Sequence, residues 1–195
     1  MTFELLAQVA VSCAPVLVFL TGLMLLDSYK LVPVQSVLVT VLLGCVAAGA
    51  SVVVNMAFLA QEGIELTMYA RYGAPVVEEL CKAIWPFLLI RSRKVGFMVD
   101  AGVHGFAIGA GFAIVENVYY LQSLEHASLF TWIVRGFGTA VMHGGTTAVF
   151  AIVAKNLTDI AGSESWYRFL PALGLAAVIH SAYNHFFLPP ILNTV

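Results

Sequence analysis

Charge is what this sequence has least of. Only 10% of its 195 residues are Asp, Glu, Lys or Arg, against 61% hydrophobic, and the mean hydropathy is +0.93. A soluble domain averages about 25% charged residues, so the composition excludes an ordinary water-soluble domain and points to several passes through lipid. A net charge of -2 provides no basic surface, which argues against a nucleic-acid partner. Cysteine is also scarce. Cys13, Cys45 and Cys81 each fall in an apolar run, and an odd number there builds no disulfide framework. The chain lacks His-Glu-x-x-His, a long low-complexity linker and a sequence repeat. It also lacks a basic segment at Met1-Thr2-Phe3-Glu4 and a small-x-small site before Lys30, so the first apolar run reads as a retained helix, not a removed signal peptide. One membrane-embedded domain over residues 1–195 is the simplest count.

What the sequence has is apolar stretches of spanning length. About 20 apolar residues cross a bilayer core, and six stretches qualify, at roughly 6–26, 33–60, 68–90, 97–121, 130–154 and 168–190. The expected fold is therefore all-α, a polytopic bundle of about six transmembrane helices. Arg91, Arg93 and Lys94 form the densest basic loop, which the positive-inside rule assigns to the cytoplasm, in the cell membrane. Lys30, Lys155 and Arg168 fall on that side. Glu4, Glu62, Glu65, Arg71, Glu125 and His126 fall on the other, with both termini extracytoplasmic. Trp132 and Trp166 sit near span ends, where interfacial aromatics belong.

The third span is the irregular one. Pro75 suits a first helical turn, and Pro86 removes an internal hydrogen bond and should kink the helix. A helix from Pro75 to Ile90 covers only about 24 Å. It would start below the surface, after an interfacial segment with Tyr69 and Tyr72, and water would reach Glu78 and Glu79.

A charge in mid-membrane costs about 3 kcal/mol or more, so each one there needs a partner or a task. The third span carries Glu78, Glu79 and Lys82; the fourth Asp100, His104, Glu116 and Asn117; the fifth Arg135 and His143; the sixth His180 and Asn184. Ala101, Gly105, Gly109 and Ala113 step by four beside Asn117, forming one face on which another helix can approach closely. At 1.5 Å per residue, Glu78, His143 and His180 lie roughly 14–20 Å deep, and Glu116 and Asn184 about 7–10 Å. Four spans thus bring polar groups to one layer. Asp100 and His104 lie far from it, nearer the cytoplasmic end, and read as structural.

These residues resemble a known family. Glu78-Glu79-x-x-Lys82, the Gly-x-Gly-Phe-Ala-x-x-Glu-Asn of Gly109 to Asn117, His143 after Arg135, and His180-x-x-x-Asn184 look like the motifs of PrsW-type intramembrane proteases, distantly similar to the CAAX-processing membrane proteases. The resemblance covers the third to sixth spans, about residues 68–190, in the family's order. It implies a protease core that hydrolyses a peptide bond of a membrane-tethered protein, such as an anti-sigma factor, near the extracytoplasmic side.

On that reading the catalytic candidates are Glu78, Glu79, His143, His180 and Asn184, supported by Lys82, Glu116, Asn117 and Arg135. A glutamate would act as general base on water, Lys82 would tune the pair, and Asn184 would hold the oxyanion or orient His180. Asn117 would bond between helices and Arg135 would balance a carboxylate. Two mechanisms stay open. One is metal-free, with histidine and Asn184 on the oxyanion; in the other His143, His180 and a carboxylate such as Glu116 ligate zinc and another glutamate is the base. Two other classes compete. Buried Glu, Lys and His also build ion or proton paths in carriers, although no Glu-Glu recurs in the second half as an inverted repeat would require. A membrane scaffold would leave the polar cluster without chemistry.

Overall fold

The computed structural model describes residues 3–27, 32–123 and 129–186, and among them every regular element is helical. Lys30, Glu125, His126 and Pro189 lie outside the described residues, as do both termini and the side chain of Glu4. The helices are α1 (Phe3–Leu26), α2 (Val34–Leu59), α3 (Leu66–Met68), α4 (Ala74–Arg91), α5 (Met98–Ser123), α6 (Leu129–Val134), α7 (Ala140–Ala161) and α8 (Leu170–Phe186). A π turn, Tyr69–Gly73, joins α3 to α4, and a second, Arg135–Thr139, joins α6 to α7.

Among the described residues, four segments are long and apolar enough to cross a membrane: Ala7–Leu26, Val34–Leu59, Met98–Leu121 and Phe130–Ala161. The chain is thus a multi-pass membrane protein. The six expected spans divide differently from the sequence reading. The fifth runs on as one rod to Ala161, while α4 and α8 have only 18 and 17 residues. In α4 four charged residues, Glu78, Glu79, Lys82 and Arg91, offset the apolar ones. It opens with Pro75 in its first turn and continues through Pro86 to Arg91.

The sequence explains why α5 is the centre. Residues 100–113 are buried without exception, and their small side chains bring backbones together. A Cβ at Gly105 would meet the Thr147 carbonyl oxygen at 2.5 Å, and one at Gly109 that of His143 at 2.2 Å, so α7 lies directly against this face. On another face, a Cβ at Gly111 would strike the Val41 carbonyl oxygen of α2, and Cys45 Sγ donates to the Gly111 carbonyl at 3.4 Å. Gly44 of α2 abuts Ile108 equally closely. α1 packs beside α5 through Val16 and Leu20, while α4, α7 and α8 enclose a second apolar cluster around Ala83, Phe150 and Ala176. Val46, Val53, Leu25 and Ile160 point outward, as a lipid-facing surface requires.

The ends of the rods are tied by polar contacts. Glu65 caps α3 by accepting from the backbone N–H of Met68 at 2.7 Å and Thr67 at 2.9 Å, and these bonds hold its carboxyl below the usual range. Arg93, in a left-handed conformation at φ 56°, pairs through Nε with Glu164 at 2.8 Å. Trp166 is exposed, but Trp132 is fully buried: α6 lies against α1, so that ring faces protein and not the headgroup region.

Candidate active site

Glu78, Glu79 and Lys82 occupy the second and third turns of α4. Residues three apart share a helix face, so Glu79 and Lys82 point the same way, into the bundle. Lys82 is wholly buried and Glu79 is 1% exposed, whereas the Glu78 side chain, turned about 100° from Glu79, keeps 14%. The Oε1 of Glu79 is a meeting point: it accepts from Lys82 Nζ at 2.6 Å, from His180 Nδ1 at 2.9 Å and from Thr146 Oγ1 at 3.1 Å. With Nδ1 directed to a carboxylate, His180 turns Nε2 toward Glu78 Oε2, 3.8 Å away. A carboxylate behind a histidine in this way fixes the ring's tautomer and orientation.

His143, in the first turn of α7, meets a charged partner at each ring nitrogen. Nδ1 is 3.0 Å from Lys82 Nζ, and Nε2 is 2.8 Å from Glu116 Oε2. The two histidine rings stand edge to face, their centroids 4.8 Å apart. Glu116 also faces Arg135 Nη2 at 3.4 Å. Arg135 is held by its Nε, which donates to Asn117 Oδ1 at 3.1 Å, and by the ring of Tyr120, 3.7 Å from its Cζ. Asn117 Nδ2 in turn donates to the Ser12 carbonyl of α1 at 2.8 Å, so Asn117 does bond between helices.

The structure therefore brings Glu78, Glu79, Lys82, Glu116, Arg135, His143 and His180 together from α4, α5, α7, α8 and one π turn. A cavity of about 440 Å³ opens onto five of them. Its floor includes Glu78, Glu116, Arg135, His143 and His180, and its wall is the apolar second half of α2, from Ala48 to Leu59. One ligand atom each from Glu78, His143 and His180 lies within 4.8 Å of the others. The Glu78 Oε2 is buried without a hydrogen-bond partner. An orphaned carboxylate oxygen beside two imidazoles is a donor set suited to a zinc ion. Glu78 completes this group, and Glu116, the carboxylate named by the sequence reading, stands 2.8 Å from His143 Nε2.

Asn184 sits on the cavity lining, but its Nδ2 donates to the Ala70 carbonyl at 3.1 Å and ties α8 to the first π turn. That bond occupies one of the two N–H groups of its amide. Tyr72 Oη and His185 Nδ1, 2.8 Å apart, reinforce the tie. His104 lies apart, bonded to Thr40 at 3.0 Å, and Asp100 accepts from the Phe97 N–H at the start of α5. Thr146 was not singled out by sequence reasoning. Its position three residues after His143, on the same helix face, was the available signal. Neither π turn left one, although such turns often mark functional sites.

No curated protein and no solved structure matches the chain. A family model does, described as PrsW family intramembrane metalloprotease and covering residues 32–194. That range takes in α2 through α8, hence every residue lining the cavity, and leaves out α1. On that match the chain belongs to the PrsW family of intramembrane metalloproteases and is a peptidase.

Proposed function

We propose that this peptidase hydrolyses a peptide bond in a membrane-tethered protein, such as an anti-sigma factor, at a zinc centre held by Glu78, His143 and His180. The observation that carries this reading is the closeness of those three donors, within 4.8 Å of one another, at the floor of a cavity large enough for a short peptide. The chemistry a zinc ion supplies in such a site is that of a Lewis acid, acidifying water and polarising a carbonyl.

The chain's own residues then divide the work. Glu79 and Lys82 form the second layer. Glu79 directs the two nitrogens of His180, while Lys82 neutralises Glu79 and meets His143. Glu79 does not border the cavity and its Oε1 already accepts from Lys82, His180 and Thr146, so it is not placed to act as the base. Glu116, whose side chain is 22% exposed, is the most accessible carboxylate of the cluster. It takes a proton from the attacking water and returns it to the leaving amine nitrogen as the C–N bond breaks. Neither the cavity nor the cluster favours a carrier.

The same reading places α4 and α8 inside the bilayer beside the four spanning segments, the basic Arg91–Lys94 loop in the cytoplasm, and the cavity and both termini toward the extracytoplasmic side of the cell membrane. It treats residues 1–195 as one domain with its protease core at about 68–190. The experiment is metal analysis of purified wild type, Glu78→Gln and Glu116→Gln together with cleavage of single-span reporter proteins. Wild type should carry zinc and cleave, Glu78→Gln should lose both, and Glu116→Gln should keep zinc and lose cleavage. A zinc-free wild type that cleaves at full rate in chelator would overturn the zinc assignment.

A further inference from the structure

Among the described residues, six buried side-chain atoms lack a hydrogen-bond partner, and two of them belong to residues that line the cavity: Glu78 Oε2 and Arg135 Nη2. Buried polar atoms are nearly always bonded, and a donor left unmade near charge is costly. The Arg135 side chain is 1% exposed and borders the cavity. Its position is nevertheless tightly held: Nε is occupied by Asn117, the planar group lies on Tyr120, and the nearest carboxylate oxygen, Glu116 Oε2, is 3.4 Å from Nη2. The side chain leaves one end of a π turn, Arg135–Thr139, in which Gly136 packs against the Val11 carbonyl and Gly138 against Tyr183, so the turn cannot easily shift. A rigidly held donor without an acceptor stands in the same cavity as an acceptor without a donor. A molecule that brings a carbonyl oxygen and a water to this floor would satisfy both.

We infer that Arg135 is a catalytic residue whose Nη2–H binds the carbonyl oxygen of the scissile peptide bond. The inference rests on the peptidase reading above. When the water oxygen bonds to the carbonyl carbon, the C=O π pair moves onto that oxygen, and a preset donor gains strength as the charge develops. When the C–N bond breaks, the pair returns and the amine leaves with the proton. The sequence reading gave Asn184 the oxyanion and Arg135 a charge to balance; Arg135 Nη2 lacks a bonded acceptor beside the cavity, whereas one N–H of Asn184 Nδ2 is engaged by Ala70.

The test uses purified full-length protein in lipid nanodiscs and a reporter with one Leu/Ala transmembrane helix and a polar juxtamembrane segment bearing a fluorophore–quencher pair. Arg135→Gln should lower kcat about 100- to 1,000-fold, the usual effect of deleting one such donor. KM should move less than threefold, with zinc content and melting temperature close to wild type. A phosphinic pseudopeptide, which mimics the tetrahedral state, should lose affinity in step with kcat. If Arg135→Gln does not fold, Arg135→Lys gives the same information: a point charge cannot hold Asn117 and also reach the cavity as the planar fork does, so its kcat should fall at least tenfold. A folded Arg135→Gln or Arg135→Lys protein with wild-type kcat would overturn the inference while leaving the peptidase reading intact. A metal-loaded wild type that cleaves no reporter would count against the peptidase reading itself.

Discussion

Oε1 of Glu79 accepts from His180 Nδ1 at 2.9 Å while the same oxygen holds Lys82 Nζ at 2.6 Å. One carboxylate thus both orients a histidine and neutralises a wholly buried ammonium. Replacing Glu79 with Gln keeps the shape and removes the charge, which strands Lys82 at a cost of about 3–5 kcal/mol. Glu79→Gln should express poorly and melt early, and Glu79→Gln/Lys82→Met should recover most of the lost stability but not activity. Thermal melts of the two proteins check this; equal melting temperatures would show that the pair is not what holds α4 in place.

Neighbouring Glu78 should behave in the opposite way. Its side chain carries no internal bond at Oε2, so Glu78→Gln should fold at least as well as wild type, since a buried charge is removed. Zinc stoichiometry by elemental analysis should fall below half, and cleavage by about 100-fold or more. A Glu78→Gln protein with full zinc and full activity would remove Glu78 from the site.

Asn184→Ala should be mild in rate and visible in stability. Loss of the bond to Ala70 costs about 1 kcal/mol, and kcat should change less than tenfold. A folded Asn184→Ala protein with kcat reduced a hundredfold would return the oxyanion role to Asn184.

Two glycines of the site region should respond with opposite signs. A Cβ at Gly109 meets the His143 carbonyl oxygen at 2.2 Å, a backbone atom that cannot step aside. Gly109→Ala should therefore cost about 1–3 kcal/mol or more and depress activity by displacing His143. Gly145, one turn into α7, has nothing within 4 Å, and Gly145→Ala should stabilise by about 0.5–1 kcal/mol. Melting curves in one detergent compare them directly.

Orientation has its own check. A cysteine at position 93 should stay unlabelled by a membrane-impermeant maleimide in intact cells and react after lysis; labelling in intact cells would reverse the assignment of the Arg91–Lys94 loop.

The polar layer was legible because burial makes each charge conspicuous. In an apolar chain, Glu78, His143 and His180 stand out, and helical rise alone brings them to similar depth. The small-residue row at Gly105 and Gly109 was legible for a similar reason, since only a close backbone explains it. What the sequence could not separate was Glu78 from Glu79. They are adjacent, and only the rotation of α4 against α7 and α8 decides which is enclosed by donors. The spans of α4 and α8 were overdrawn because apolar length does not reveal where a helix becomes a π or 3-10 turn, as at Tyr69–Gly73 and Trp166–Phe169. Trp132 was misplaced because a tryptophan near a span end has the same appearance whether it faces headgroups or α1. The bond from Asn184 to Ala70 was not legible because its partner is a backbone carbonyl, and backbone carbonyls leave no trace in a sequence.

The glycine contacts of α5 make this molecule a clamp with one arm seated on backbone and the other held in part by side chains. α7 is seated backbone to backbone on Gly105 and Gly109, and the first half of α2 is seated on Gly111 in the same way. Interiors packed this tightly transmit force and do not absorb it. Beyond Cys45, α2 meets α5 through side chains, Ala47 and Ala48 against Phe112, and from Ala48 to Leu59 it borders the cavity, tied to the first π turn where Tyr69 Oη donates to Asn55 Oδ1. His143 therefore sits on the rigid arm, and room for a polypeptide has to be made along the α2 wall, where side chains and not backbones meet.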